Sequence, residues 1–369
     1  MDDKVLFVLF LVVFAFFYLL PFTELTGTFL DSGISMTHEY ATEHVLTCLV
    51  PAFFVAGAIT GLLKKDIVMK YLGADANKII AYLFASVSGS ILAVCSCTIL
   101  PLFAGIWKRG AGLGPAITFL YSGPAINIAA IFLTASVFGF QLGFARAVSA
   151  ILLAIVIGLS MELFFKNDRQ KNAGKLITET DDKTDMRLVS VFIFVQILFL
   201  IVNGLKIDFG LKISAFAVII LTTAYLAIFR LSREQARVWL LETWGLSKTF
   251  LPILFLGVFT AGVLQVLLPE ELITSTLGGN SLGANLTASV FGVVVYFATL
   301  TEVPILQALM AKGMGAGPAL ALLLSGPSVS LPSILVIHRV LGLNKTAAYI
   351  SLVVIFSTLA GLVYGMFVA

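Results

Sequence analysis

The chain carries the stretch GAGLGPAITFLYSGP at residues 110–124 and repeats it as GMGAGPALALLLSGP at residues 313–327. Nine of the fifteen positions are identical at a constant offset of 203 residues, which indicates that one half of the chain duplicates the other. Both copies end in Ser-Gly-Pro inside almost uninterrupted apolar sequence. Because proline removes a hydrogen bond from a helix interior, each copy predicts a helix interrupted at bilayer depth, and paired breaks of this kind are typical of transporter binding sites.

The composition is that of a membrane protein. Of the 369 residues, 59% are hydrophobic and 12% are charged, and the mean hydropathy is +1.05. These values lie far outside the usage of soluble globular proteins. The longest hydrophilic stretch, Lys166 to Arg187, is too short to fold alone, which excludes a soluble catalytic or nucleic-acid-binding domain. We therefore expect an all-α polytopic membrane protein.

Apolar runs of roughly 20 residues can cross the hydrocarbon core of a bilayer. Such runs predict continuous spans at residues 5–22, 45–63, 146–165, 187–205, 211–230, 250–268 and 346–367. Four further apolar stretches contain Pro and Gly. They predict re-entrant hairpins at 79–107 and 286–311, and spans broken at Ser-Gly-Pro at 113–141 and 317–341. The sequence thus predicts nine crossings and two hairpins.

The distribution of basic residues predicts the orientation in a cytoplasmic membrane. With the N-terminus inside and the C-terminus outside, 19 of the 23 Lys and Arg residues fall in cytoplasmic segments, as the positive-inside rule requires. Span 45–63 then runs inwards and its counterpart 250–268 runs outwards. We therefore expect two modules that form an inverted repeat, each with a re-entrant hairpin and a broken transmembrane helix.

The repeat divides the chain into four parts of one integrated transmembrane domain. Residues 1–44 are expected to form an N-terminal span and an outer loop, and residues 45–165 the first repeat. Residues 166–246 are expected to hold a cytoplasmic linker and two connecting spans, and residues 247–369 the second repeat.

The breaks supply the candidate substrate site. A proline inside a helix frees the carbonyl four residues earlier, and in hydrocarbon that carbonyl needs another partner. A cation, a water-filled cavity or a nearby hydroxyl could be this partner; alternatively, the prolines only kink packed helices. The residues that we expect to bind substrate at the breaks are Thr98, Pro101, Ser122, Gly123, Pro124, Asn127, Thr301, Pro304, Ser325, Gly326, Pro327 and Ser330.

Two cysteines form a second candidate feature. Cys95 and Cys97 lie at the expected tip of the first hairpin, and they share a side if the backbone there is extended. Paired thiolates suit soft metal ions or trivalent arsenic, so these two residues are candidate metal or substrate ligands, with Cys48 as a third. Small apolar packing residues are the alternative. A Cys-x-Cys pair without a second redox pair does not favour an enzyme.

Glu302 replaces Ile99 at the equivalent position of the second hairpin. An ionised carboxylate at the centre of a membrane helix costs about 2.5 to 3.5 kcal/mol on insertion scales and is usually functional. Glu302 is therefore a candidate for proton or cation coupling. A hydrated position near the outer interface is the alternative.

The segment Cys95-Ser96-Cys97-Thr98-Ile99-Leu100-Pro101-Leu102, with Lys108-Arg109-Gly110-Ala111 and Gly114-Pro115-Ala116 after it, resembles the predicted permease family that includes organoarsenical exporters. The resemblance covers the duplicated core. It implies a polytopic permease that exports a thiol-reactive species such as a trivalent organoarsenical, with Cys95 and Cys97 as ligands. The second half lacks a Cys-Ser-Cys, and the chain has no His-rich tail.

Together these features predict a secondary-transporter-type permease that exports a small thiol-reactive solute by alternating access. We expect no enzymatic activity, no cofactor and no nucleic acid. The expected partners are membrane lipid, the solute or metalloid and a coupling ion, and an oligomer is compatible with the sequence. The alternatives are a non-transporting membrane subunit of a larger complex and a permease for an unrelated small solute.

Overall fold

The computed structural model describes residues 7–8, 12–15, 18, 29–64, 70–73, 76–92, 96–166, 186–204, 208–267, 276–294 and 302–368. Within these residues the chain is helical, apart from turns and one isolated β-bridge between Gly278 and Met314. Most of the expected first span, 5–22, and of the expected linker, Lys166 to Arg187, lies outside the described residues.

The described residues form fifteen named α-helices. They are α1 (Phe29–Glu39), α2 (Val50–Leu62), α3 (Lys78–Leu92), α4 (Ser96–Lys108), α5 (Leu113–Ala125), α6 (Ile128–Phe138), α7 (Phe140–Phe164), α8 (Met186–Gly204), α9 (Phe209–Tyr225), α10 (Arg233–Leu267), α11 (Leu282–Val294), α12 (Glu302–Ala311), α13 (Ala316–Ser325), α14 (Leu331–Leu341) and α15 (Leu343–Val368). A π-helical stretch, Tyr40–Leu49, joins α1 to α2, and another, Leu226–Arg230, extends α9.

Five of these helices, α7 to α10 and α15, are long and apolar enough to cross a membrane. Two bent pairs, α1 with α2 at 49° and α5 with α6 at 46°, raise the number of spans among the described residues to as many as seven. The chain is therefore a multi-pass membrane protein. The nine crossings expected from the sequence include the span at 5–22, which is mostly not described, and the interrupted stretch at 317–341.

Two segments that were expected to be loops are helical. Residues 29–44, expected within the outer loop, form α1 and the start of the π-helical stretch. Helix α10 begins at Arg233, so most of the expected basic loop from Arg230 to Lys248 belongs to it. The reason is a capping box: the Ser232 hydroxyl accepts from the Gln235 N–H, and the Gln235 side chain accepts from the Ser232 N–H.

The two duplicated breaks differ from each other. Helix α5 continues through Ser-Gly-Pro and ends at Ala125, one residue after Pro124, because the N–H of Ile126 still donates to the carbonyl of Ser122 at 2.9 Å. Helix α13 ends at Ser325, and residues 326–330 form the gap before α14. The break expected at Ser-Gly-Pro is therefore present in the second half, and in the first half it lies at Ile126 and Asn127.

The duplication extends to backbone hydrogen bonds. Gly110 and Gly313 both have positive φ, 93° and 103°, and each donates its N–H to the carbonyl three residues earlier. Gly139 and Gly342 also match, with φ of 93° and 82°. A left-handed conformation of this kind favours glycine, so the same turns are encoded twice at an offset of 203 residues.

Each half contains a close glycine contact between its two central helices. A Cβ on Gly158 of α7 would lie 2.8 Å from the carbonyl oxygen of Gly114 of α5. A Cβ on Gly361 of α15 would lie 2.6 Å from the carbonyl oxygen of Gly317 of α13. These four glycines occupy equivalent positions, and small residues of this kind let membrane helices approach closely.

Candidate functional site

A buried ion pair joins the two halves of the chain. Nη2 of Arg146, on α7, lies 2.5 Å from Oε1 of Glu302, the first residue of α12. The two side chains are 0% and 1% exposed. Glu302 is therefore buried rather than hydrated at an interface. Its partner Arg146 is the first residue of the expected span 146–165, whereas in the structure α7 begins six residues before it, so Arg146 lies inside the helix.

Arg146 also contacts the neighbouring helix α6 through hydrogen bonds. Its Nη1 donates to Oγ1 of Thr134 at 2.8 Å and approaches the carbonyl of Ala130 at 3.5 Å. Both acceptors lie on α6, which follows the first break. One guanidinium thus connects α6 and α7 of the first half with α12 of the second half.

The ion pair leaves one donor and one acceptor unused. Nε of Arg146 and Oε2 of Glu302 are buried, and neither has a hydrogen-bond partner among the described residues. Unpaired polar atoms in a low-dielectric interior are costly. The described residues therefore leave one donor and one acceptor of this pair unsatisfied.

The second break is satisfied by side chains from both halves. The carbonyl of Leu324, in the last turn of α13, accepts hydrogen bonds from the hydroxyls of Tyr121 and Ser328, each at 3.1 Å. The carbonyl of Ser328 accepts in turn from the Tyr349 hydroxyl at 3.3 Å. At this break the exposed backbone is therefore held by protein hydroxyls, which supply the partner that a broken helix needs in hydrocarbon.

The helices that carry these groups, α5, α13 and α15, all contact α7, which carries Arg146. Ser357 also lies on α15. The Ser357 hydroxyl itself is buried and completes no hydrogen bond within the part of the chain that the structure describes. The ion pair and the hydroxyls of the second break therefore lie on one set of packed helices.

The expected site residues at the helix starts have structural partners. Asn127 is the N-cap of α6, where its side chain accepts from the N–H of Ala130 at 3.3 Å. Ser330 is the N-cap of α14 and forms a capping box with Ser333. The two residues occupy equivalent positions at the offset of 203, so equivalent residues start equivalent helices.

The two serines of Ser-Gly-Pro are also engaged. Ser122 donates to the carbonyls of Ala85 and Phe119, each at 3.2 Å. Ser325 approaches the carbonyl of Leu322 at 3.4 Å. Gly123 lies against Ile99 of α4, where a Cβ would come within 2.8 Å of that side chain.

The hairpin prolines lie on helices. Pro101 is inside α4, so it cannot bond the carbonyl of Cys97, as expected. Pro304 is the third residue of α12. In the first helical turn no intrahelical N–H is required, so Pro304 does not interrupt that helix.

The thiol hypothesis falls on residues that are only partly described. Cys97 lies in the first turn of α4, and Thr98 beside it is buried. Cys95, Thr301 and the side chains of Cys97 and Cys48 lie outside the described residues. Within the described part, His, Cys, Asp and Glu form no group of three that could hold a metal ion.

Sequence reasoning missed Arg146 and the hydroxyl cluster. A signal for Arg146 was present, because it occupies the position equivalent to Tyr349 at the offset of 203, just as Glu302 is equivalent to Ile99. Each half thus departs from the other at the positions that meet in the ion pair. In both cases a charged residue stands opposite an uncharged one, which was a signal visible in the sequence.

The sequence of residues 32–366 matches a family described as predicted permease. The chain belongs to the predicted permease family. This family description indicates a transporter rather than an enzyme.

Relatives of the permease extend from archaea to bacteria. A UPF0718 protein of Methanocaldococcus jannaschii is 44% identical over 341 residues, which cover 89% of this chain and 93% of the relative. The UPF0718 protein YraQ of Escherichia coli is 24% identical, over 82% of this chain and 72% of its own.

A protein of Streptococcus mutans is 25% identical over 77% of the permease and 79% of its own length. That protein is described as a putative subunit of a two-component membrane permease complex. No solved structure matches the permease.

Proposed function

We propose that the permease is a secondary transporter of the cell membrane that exports a small thiol-reactive solute by alternating access. The observation that carries this proposal is the Arg146–Glu302 pair, which is buried, lies between the halves and has an unused donor and acceptor. In a pair with only a structural role we would expect every polar atom of the two side chains to be hydrogen-bonded. Buried charged groups that lack a partner are costly. Ionisable residues inside a membrane usually mark a substrate or ion pathway.

Reciprocal packing supports an inverted repeat. Helix α4 of the first half contacts α14 of the second, and α12, the equivalent of α4, contacts α6, the equivalent of α14. A twofold relation between modules produces such reciprocal contacts. The bias of Lys and Arg towards one side favours an axis in the membrane plane, with the N-terminus inside and the C-terminus outside.

In this mechanism the ion pair couples the solute to the motion of the halves. Arg146 belongs to the first repeat and Glu302 to the second, so any opening between them must separate or hydrate their charges. A solute or coupling ion that binds the unused Nε and Oε2 compensates for that separation. The differential binding of the two states then drives the exchange between inward-facing and outward-facing forms.

The thiol chemistry comes from the resemblance to organoarsenical exporters. Cys95 and Cys97 are the matching ligand positions, and trivalent arsenic bound to thiols is the favoured substrate class. Cys97 is the second residue of α4. In this proposal the two cysteines lie together at the tip of the first hairpin.

The proposal is tested by transport in proteoliposomes and by resistance of a sensitive host. The probe is methylarsenite, a trivalent organoarsenical. Export by the wild type that is abolished in a folded Cys97→Ser variant supports the proposal. Equal export by Cys97→Ser and the wild type rejects the thiol role. No flux by the wild type, with a folded protein, rejects methylarsenite as substrate.

A second candidate function is a membrane subunit of a two-component permease. The name of the Streptococcus mutans relative favours it. In this case the purified chain alone would give no flux, and a second subunit would co-purify from native membranes and restore transport. Flux by the single chain would exclude this candidate.

A further inference from the structure

A second polar site lies at the end of α4, away from the ion pair. Arg109 follows the last residue of α4, and its side chain is only 2% exposed. Its Nε and Nη1 are buried and have no acceptor in the described ranges. Burial lowers the pKa of Arg109, and the charge of Glu242 opposes this effect. A buried guanidinium with two unused donors needs an anionic acceptor.

A hydroxyl on a neighbouring helix adds a third unused group. The backbone N–H of Arg109 donates to the carbonyl of Gly105, so Arg109 lies one helical turn beyond Gly105. Thr60 of α2 lies against Gly105, where a Cβ would come within 3.2 Å of Oγ1 of Thr60. That Oγ1 is also buried and has no partner among the residues described. Its position places a potential donor one helical turn from Arg109.

Two lysines and one glutamate lie near Arg109 among the described residues. Glu242 of α10 pairs with Lys108, whose Nζ lies 3.7 Å from Oε2. Lys345, at the start of α15, is 7% exposed and lies 5.6 Å above the ring of Trp107. Three cations, Lys108, Arg109 and Lys345, therefore share this end of the bundle with Glu242, whose carboxylate already pairs with Lys108.

We propose that Arg109, with the Thr60 hydroxyl, binds a phosphate-type oxyanion at this end of the transmembrane bundle. The planar guanidinium presents parallel N–H donors that match phosphate oxygens, and a hydroxyl can complete the set. Since the site lies where a helix ends, its ligand is either the headgroup of an anionic lipid or a free phosphate. This site is separate from the proposed transport cycle and does not depend on it.

The test uses full-length permease, delipidated in an uncharged detergent. One arm measures the thermal midpoint with inorganic phosphate against an equal concentration of chloride. The other counts bound phosphatidylglycerol against phosphatidylcholine by native mass spectrometry. Phosphate-dependent stabilisation identifies a free anion, and selective retention of phosphatidylglycerol identifies a headgroup; either result supports the site. If the wild type shows neither effect, the proposal is overturned.

Variants assign the effect to Arg109. We expect affinity to fall at least tenfold in Arg109→Gln and a few-fold in Thr60→Val. Lys312→Gln is the matched control, because Lys312 is equivalent to Arg109 at the offset of 203, has the same backbone hydrogen bond, and is exposed. Equal binding by Arg109→Gln and the wild type would overturn the proposal.

A third variant covers the case in which Arg109→Gln does not fold. Glu242→Gln removes the nearby negative charge and leaves Arg109 intact. If Arg109 holds an anion, Glu242→Gln binds phosphate or phosphatidylglycerol at least as tightly as the wild type does. If Arg109 is only a loose partner of Glu242, the variant loses stability and no anion restores it, which contradicts the site.

Discussion

The hydroxyl of Tyr121 donates a hydrogen bond to the carbonyl of Leu324, the residue that occupies the position of Tyr121 in the second half of the chain. The two residues are 203 positions apart, which is the offset of the duplication itself. Residues at equivalent positions can contact each other only near the axis that relates two copies. Tyr121 and Leu324 therefore mark a place where the two halves meet.

Tyr121→Phe should destabilise the permease by about 1 kcal/mol, the net value of one hydrogen bond in a protein. The loss stays moderate because the Leu324 carbonyl keeps its second bond, from Ser328. Reversible unfolding in mixed micelles measures the free energy of unfolding. Tyr225→Phe, at an exposed position on α9, is the control and should change it little. Equal values for the two variants would contradict the contact at the axis.

Neutralising one member of the buried pair should greatly lower the free energy of unfolding. Glu302→Gln leaves Arg146 buried without its counter-charge, and loss of one partner of a buried pair costs about 3 to 5 kcal/mol. The matched control is Lys78→Gln, since Lys78 pairs with Glu162 at 3.1 Å and is 58% exposed. Exposed pairs contribute about 0 to 1 kcal/mol. A similar loss in both variants would show that the Arg146–Glu302 pair is hydrated.

The double variant Arg146→Leu with Glu302→Leu separates stability from transport. Removing both charges removes the desolvation cost as well, so much of the stability lost in Glu302→Gln should return. Transport should not return, because the site then has neither donor nor acceptor for a solute or coupling ion. Flux assays and unfolding in parallel test both statements. A stable double variant with wild-type flux would exclude the pair from the transport pathway.

The sequence predicted the duplication and most helices because both rest on local signals. The offset of 203, the Ser-Gly-Pro copies and the long apolar runs can all be read along the chain. Helix α10 was placed too short because the basic residues before Lys248 were counted as a loop, although Ser232 and Gln235 form a capping box. Topology rules weigh charge and do not register such caps.

The candidate site was only half predictable for a different reason. Glu302 stands out as a carboxylate in apolar sequence, but its partner Arg146 is 156 residues away. A pairing over that distance depends on how α7 and α12 pack, and neither local pattern nor loop charge specifies this. Asn127 and Ser330 were singled out for their position after the breaks, and this position also makes them N-caps of α6 and α14.

The two prolines of Ser-Gly-Pro should behave differently when replaced. Pro327 lies in the gap after α13, so Pro327→Ala supplies an N–H and lets the helix extend through the gap, since proline costs about 3 kcal/mol in a helix interior. Helix α5 already passes through Pro124. We expect Pro327→Ala to slow hydrogen exchange at residues 326–330 and to reduce flux, with smaller changes for Pro124→Ala. Equal effects would contradict the asymmetry of the breaks.

The glycine contacts of the second half should tolerate no side chain. A Cβ on Gly361 would lie 2.5 Å from Oδ1 of Asn285 and 2.6 Å from the carbonyl of Gly317, so α13 and α15 would have to separate. Overpacking of this kind costs about 1 to 3 kcal/mol. Gly245→Ala in α10 is the matched control, because no atom lies within 4 Å of its Cβ position. There, alanine should raise stability by up to about 1 kcal/mol, through its higher helix propensity. We therefore expect the free energy of unfolding to fall in Gly361→Ala and to rise in Gly245→Ala. Two changes of the same sign would show that α13 and α15 are not in close contact.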